Sequence, residues 1–274
     1  MLRVEKLSIH FEESGGIQEA VKDVSFSLAD GEILGIVGES GSGKTMTALT
    51  IAGLTKEHEV LSGGSILLDE VDLLTLSPRE MREIQGKDVS MIFQEPMTAL
   101  NPTIRIGKQV EEALVLHTRL SKAERREKVI KALEDVELEN PDLLYKKYPH
   151  ELSGGMRQRV MIAAAIVCRP KVLIADEPTT ALDVGTQESI LKLLRKLNKK
   201  YGMGILFISH NLRVVNELCS RVLVMKDGVI LEEGPVKEIF ENPRSQYTQD
   251  LIAAIPGRTT SSAFYQFLRE KAGE

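Results

Sequence analysis

The chain has no tryptophan, and aromatic residues of all kinds make up 4% of it. A platform for stacking single-stranded bases is therefore excluded. Basic residues are not in excess, since the formal net charge is −5, so no global positive field invites nucleic acid. Only two cysteines occur, Cys168 and Cys219, far apart and outside any metal-ligand spacing. They read as reduced, mostly buried thiols of a cytosolic protein. No stretch approaches the roughly 20 apolar residues of a membrane-spanning helix. The opening Met1-Leu2-Arg3-Val4-Glu5 leads straight into strand-like alternation, so no secretory leader is expected. Any contact with a membrane has to come through a protein partner.

What is present is ordinary in bulk and specific in detail. Hydrophobic residues make up 42% and charged residues 27% of 274, enough for a sizeable α/β core in one large domain or two small ones. Leu2 to Phe11 and Ala20 to Leu28 alternate as strands around a hairpin loop at Glu12-Glu13-Ser14-Gly15-Gly16. Ser65 to Leu68 reads as a short strand after a turn at Ser62-Gly63-Gly64. From about Thr103 to Lys147 the period becomes helical, with Val110, Ala113 and Leu114, then Val129, Ile130, Leu133 and Val136. This stretch reads as an inserted helical subdomain, and the mixed charges of Lys122 to Lys131 as its solvated face. Val222 to Met225 and Val229 to Glu233 form a hairpin pattern around Asp227-Gly228, and the tail from Asn242 is polar with short helical patches.

The decisive stretch is Gly38-Glu39-Ser40-Gly41-Ser42-Gly43-Lys44-Thr45, which meets the pattern G-x-x-x-x-G-K-S/T at every fixed position. The apolar run Ile33 to Val37 precedes it, and a helix-compatible run, Met46 to Leu54, follows. In that context the glycines let successive backbone N–H groups point at one anion, and the helix N-terminus adds to the attraction. Lys44 would reach the β- and γ-phosphates, and the Thr45 hydroxyl would bind Mg²⁺. Three further apolar strands end in polar residues: Val89 to Phe93 at Gln94, Val172 to Ala175 at Asp176-Glu177, and Ile205 to Ile208 at Ser209-His210. Doubly apolar strands separated by helices imply a mostly parallel sheet, whose ligands sit outside the carboxyl ends of the strands. The phosphate loop, Gln94, Asp176, Glu177 and His210 are thus expected along one sheet edge.

Leu152-Ser153-Gly154-Gly155-Met156-Arg157-Gln158 taken alone is a helix start with Ser153 as its cap. Placed between the helical insertion and the Asp176-Glu177 strand, it resembles the L-S-G-G-x-x-Q signature of the ATP-binding subunits of ABC transporters. The resemblance spans essentially the whole chain. It implies a P-loop NTPase (RecA-like) core with a mostly parallel sheet, an N-terminal antiparallel β-subdomain and an inserted helical subdomain. Residues 1–241 form a single nucleotide-binding domain on this reading, with core 1–93 and 160–241, helical subdomain about 94–159, and a tail at 242–274. ATP and Mg²⁺ are the implied cofactors. Asp176 would hold the metal with Thr45, and Gln94 would contact that metal or the attacking water and face the transmembrane partner. Glu177 would act as general base, and His210 would contact the γ-phosphate. Ser40, Gly41 and Gly43 would cradle the phosphates with Gly38. Phe11, ending the first strand, would stack on adenine. In this family Ser153, Gly154 and Gly155 cap the γ-phosphate of an opposing subunit, and Asp183 of the Ala181-Leu182-Asp183 segment runs across that interface. The implied partners are a second ATPase subunit, related but different, two transmembrane permease subunits and, indirectly, an extracytoplasmic solute-binding protein. The implied location is peripheral, on the cytoplasmic face of the membrane.

Phe93 to Pro102, Tyr148 to Ala163 and the tail Asn242-Pro243-Arg244-Ser245-Gln246-Tyr247-Thr248 with Leu251 and Pro256 are similar to the peptide/nickel branch of importers. Many oligopeptide members continue into a cysteine-bearing tail that holds an iron–sulfur centre. Neither cysteine here lies in the tail, so no such centre is expected, and the balance tips slightly from peptides towards nickel or a metal chelate. Two other readings compete. A soluble ABC-type ATPase of DNA repair or the ribosome usually carries two cassettes, or a long coiled-coil or zinc insertion. A degenerate ATP-holding module loses the base or the signature, whereas Glu177, His210 and Ser153-Gly154-Gly155 are intact.

Overall fold

The first half of the chain runs β1 (Leu2–Glu13), β2 (Gly16–Leu28), β3 (Ile33–Val37), α1 (Lys44–Ile51), β4 (Glu59–Leu68), β5 (Val71–Asp72), α2 (Pro78–Ile84) and β6 (Val89–Ile92). Helices α3 (Ile106–His117), α4 (Lys122–Asp135), α5 (Pro141–Leu144) and α6 (Gly154–Ile166) follow. The chain then returns to β7 (Val172–Asp176), α7 (Val184–Tyr201), β8 (Gly204–Ser209), α8 (Leu212–Leu218), β9 (Arg221–Lys226), β10 (Val229–Pro235), α9 (Val236–Glu241) and α10 (Gln246–Ala253). This computed structural model describes residues 1–13, 16–54, 59–94, 99–180 and 182–255, and only the backbone of 11–13, 16–18 and 59–62.

One sheet is antiparallel, in the order β2-β1-β4-β5. Leu2, Val4, Leu7 and Ile9 of β1 are all buried. The two-residue alternation slips between Val4 and Leu7, where the register shifts and Lys6 takes a positive φ of 49°. The expected turn at Ser62-Gly63-Gly64 is instead part of β4, which is longer than the four residues read from sequence. Gly64 (φ 98°) faces this bulge, and a Cβ there would stand 2.5 Å from the Lys6 carbonyl oxygen. Glycine therefore allows close strand approach rather than a reversal. Glu12, Glu13 and Gly16 of the expected hairpin loop belong to the strands, since β1 runs on to Glu13 and β2 starts at Gly16.

The second sheet has the order β10-β9-β3-β8-β7-β6, parallel except for β10. Strands β3, β7 and β8 are buried along their whole length, which explains their unbroken apolar runs. Register sets the site: Val37 pairs with Ser209, Asp176 with Ile208, and Ile92 with Ala175. The carboxyl ends of four strands therefore lie level. One apolar cluster fills the space between the two sheets and α1. The other packs Leu173 and Phe207 with Val110, Leu114, Val129 and Leu133 of the insertion. Burying each such side chain contributes about 1.5–3 kcal/mol. The helical insertion thus shares a core with the sheet, and position 159/160, the expected subdomain border, falls within α6.

The charged face of α4 is not wholly solvated. Arg125 reaches the buried Glu111 of α3 at 3.0 Å, where Lys108 and the Tyr145 hydroxyl also bond. Asp135, at the end of α4, is buried against Lys200 and Tyr201 of α7.

Candidate active site

Between β3 and α1 the backbone wraps a loop that no side chain beyond glycine fits at two points. A Cβ on Gly38 would lie 2.0 Å from the Met225 carbonyl oxygen. Gly43 (φ 101°) would meet the Ala20 carbonyl oxygen at 2.7 Å. The loop is held from behind by Gly228, whose N–H donates to the Ser42 carbonyl at 3.2 Å. Gly43 is the N-cap of α1, with no side-chain cap and no acidic residue in the first turn. The amides and the positive end of α1 are thus left for an anion.

Lys44 is buried, and its ammonium donates to the carbonyls of Gly38 (2.9 Å) and Glu39 (2.6 Å) and to Ser42 Oγ (3.2 Å). Burial lowers its pKa against the pull of Glu177, Asp176 and Glu39. The Thr45 hydroxyl donates to Asp176 Oδ1 at 3.3 Å. Burial pushes the Asp176 carboxyl up to about 6, with the Thr45 bond opposing and the Glu177 charge adding to the rise.

Glu177 sits just past the end of β7 with φ 45°, and its N–H donates to the Ile208 carbonyl at 3.0 Å. A non-glycine residue in this region is strained, and here the neighbouring strand holds it. Its carboxylate gathers three groups. Gln94 Nε2 donates at 3.1 Å, the Thr180 hydroxyl at 2.9 Å, and His210 Nδ1 lies 2.9 Å away. A carboxylate only accepts, so Nδ1 carries the hydrogen and Nε2 is left for other partners.

These groups line a cleft of about 670 Å³, with Ser40, Gly41, Gly43, Lys44 and Thr45 on one side and Gln94, Glu177 and His210 on the other. Converging amides and an ammonium facing a hydrogen-bonded carboxylate can hold a polyphosphate and take a proton from a water beside it. Gly38 and Asp176 do not line it and meet it only through the hydrogen bonds they accept from Lys44 and Thr45. Thr180, Ala20 and Met46 also line it and escaped the sequence reading. Thr180 could have been found, since a threonine three residues after an acidic strand end can bond back to it.

Other expected residues lie elsewhere. Ser153 caps α6, its Oγ accepting the Met156 N–H at 3.3 Å. Asp183 caps α7, accepting from the Thr186 N–H (3.0 Å) and hydroxyl (2.7 Å). The hydrogen bonds from Thr186 hold its carboxyl below the usual range. Ser153, Gly155 and Thr186 line a second cavity of about 460 Å³ that shares no lining residue with the first. Within one chain Ser153, Gly154, Gly155 and Asp183 are therefore not brought to the phosphate loop. The Phe11 side chain, Ala181 and residues 95–98 lie outside the described residues.

Known proteins resemble this chain in sequence and in fold. Residues 21–180 match the ABC transporter family. The dipeptide transport ATP-binding protein DppD of Haemophilus influenzae is 47% identical over 256 residues, covering 93% of this chain and 78% of that protein. The oligopeptide transport ATP-binding protein OppD of Bacillus subtilis is 47% identical over 257 residues, covering 93% of this chain and 72% of that protein. Among solved structures, the dimeric post-hydrolysis state of the ATP-binding cassette MJ0796, bound to ADP and Pi, matches with a TM-score of 0.77 at 31% identity, over 86% of this chain and 99% of that one. With the phosphate loop, the strand-end acids and this likeness together, the chain belongs to the ABC transporter family, as one of its ATPases.

Proposed function

We propose that this chain is the ATP-hydrolysing subunit of a peptide importer, working as one half of an ATPase pair on separate permease subunits. The observation that carries the ATPase part is the Glu177 carboxylate, held by Gln94, Thr180 and His210 opposite Lys44. ATP lays its phosphates along the loop amides and Lys44. Glu177 accepts a proton from the attacking water, and Gln94 and His210 hold that carboxylate in line. Thr45 and Asp176 offer two adjacent hard oxygen donors, one of them a buried carboxyl, and so fit Mg²⁺. When bound, the ion would neutralise charge between the β- and γ-phosphates. Among the described residues no three His, Cys, Asp or Glu side chains are grouped to hold a metal, so the nucleotide and water would complete its shell.

The second face of the site is proposed to come from Ser153 and the α6 N-terminus of an opposing ATPase subunit. Coupling to the membrane is proposed to run through separate permeases, a reading supported by relatives named as transport ATP-binding proteins; no helix among the described residues is long and apolar enough to cross a membrane. The peptide assignment rests on relatives named for dipeptides and oligopeptides. They outweigh the tail argument that favoured nickel or a metal chelate. The test is uptake in a strain lacking the gene. Loss of labelled di- or oligopeptide uptake, with nickel accumulation unchanged, is expected. Loss of nickel accumulation with peptide uptake intact would overturn the peptide reading.

A further inference from the structure

The segment after α9 is docked by one carboxylate. Glu232 of β10 accepts the N–H groups of Arg244 (2.6 Å) and Ser245 (3.1 Å) and is itself buried. Ser245 caps α10 through the Thr248 N–H at 3.1 Å, and Thr248 is fully buried. The first turn of α10 is therefore fixed to the edge of the parallel sheet. From that turn Tyr247 reaches the phosphate loop, and its hydroxyl accepts the Glu39 N–H at 2.9 Å. Its ring lies under the Lys226 ammonium, 4.6 Å from the ring centroid. Lys226 ends β9 and follows Met225, whose carbonyl packs on Gly38.

Glu39 occupies a special place. Its carbonyl accepts the Lys44 ammonium at 2.6 Å, and its N–H donates to the Tyr247 hydroxyl oxygen. One peptide unit on each side of this residue is thus tied down, one to the catalytic lysine and one to α10. A glycine-rich loop without that second tie samples more conformations, and an anion must then pay the ordering entropy on binding. Further along, Leu251 of the helix and Ala254 and Ile255 just past its end line a cavity of about 360 Å³ together with His210 and Arg213. Helix α10 thus touches the phosphate loop at Glu39, and the cavity at its far end adjoins the nucleotide cleft at His210.

We infer that Tyr247 is a positioning residue of the ATPase, its hydroxyl preorganising the phosphate loop through the Glu39 amide. The hydroxyl touches no reacting atom and acts on ground-state nucleotide binding. Tyr247→Phe removes that one acceptor and keeps the ring under Lys226. In the assembled transporter the KM for ATP rises about three- to ten-fold, the worth of one hydrogen bond, while kcat stays within about two-fold. In the full-length chain, hydrogen exchange quickens in the peptide carrying Glu39 and not in α10 or the sheet, and the melting temperature is unchanged. An unchanged KM overturns the inference. So does a raised KM with exchange quickened throughout the chain and a lowered melting temperature, because Tyr247 then only holds the fold together. Thr248→Val, which loosens the anchor of α10 itself, supplies that second pattern for comparison.

Discussion

At the scale of single residues the proposed hydrolysis rests on Glu177. A carboxylate held by three donors is rigid, and a base pre-aimed at its water need not reorganise when the proton moves. Glu177→Gln keeps the size and one acceptor oxygen but cannot take the proton. ATP binding is therefore retained, and turnover falls by about 10²–10⁴-fold. Phosphate release by the assembled transporter measures this, and an unchanged rate would remove the base assignment. Most residues of this cleft, though not Ala20, Met46 or Thr180, were legible because their signals are local: a glycine pattern after one apolar strand, an acidic pair ending a second, a histidine ending a third. Tyr247 stood out only as part of the tail similar to the peptide/nickel branch, and its reach to the phosphate loop was not legible, because that contact joins positions 208 apart.

At the scale of elements, the parallel strands and the insertion could be read from their apolar periods. Their junctions could not. The glycine pair at Gly63-Gly64 has the composition of a turn, and only the register slip in β1 makes it a bulge. The acidic residues of α4 look solvated because charge in a helix usually is, yet Asp135 turns inward to Lys200 and Tyr201 of α7. Burial raises its pKa, but those hydrogen bonds and the Lys200 charge outweigh it, and the net shift is downward from 3.8. A carboxyl with a lowered folded pKa contributes stability that is present above its unfolded value and lost as pH falls through the folded one. Asp135→Asn therefore costs about 1–3 kcal/mol near neutral pH. The difference from the unmutated chain stays level down to about pH 4 and shrinks below it. Urea unfolding across that range checks this, and a gap that widens on acidification would reverse the sign.

At the scale of the whole molecule, the chain carries two candidate faces on separate cavities. The phosphate loop and Glu177 line one cavity, and Ser153 with the α6 N-terminus lines another. Both are open, and Ser153 is exposed with its hydroxyl spent on capping. If the proposed pairing is right, the second face acts on the nucleotide of the opposing subunit, and its defect must appear only on assembly. Ser153→Asp isolates this, because aspartate caps a helix as well as serine does and stability should hold. The added negative charge would meet the γ-phosphate across the interface. ATP binding by the isolated chain is then unchanged, since its own phosphate loop is untouched. Hydrolysis by the assembled transporter falls by about 10²-fold or more, as for an inverted anion-stabilising contact. Ser153→Asp that hydrolyses ATP normally once assembled would show that α6 never faces a nucleotide. An equal loss of binding in the isolated chain would place Ser153 on its own nucleotide, against the separation of the two cavities.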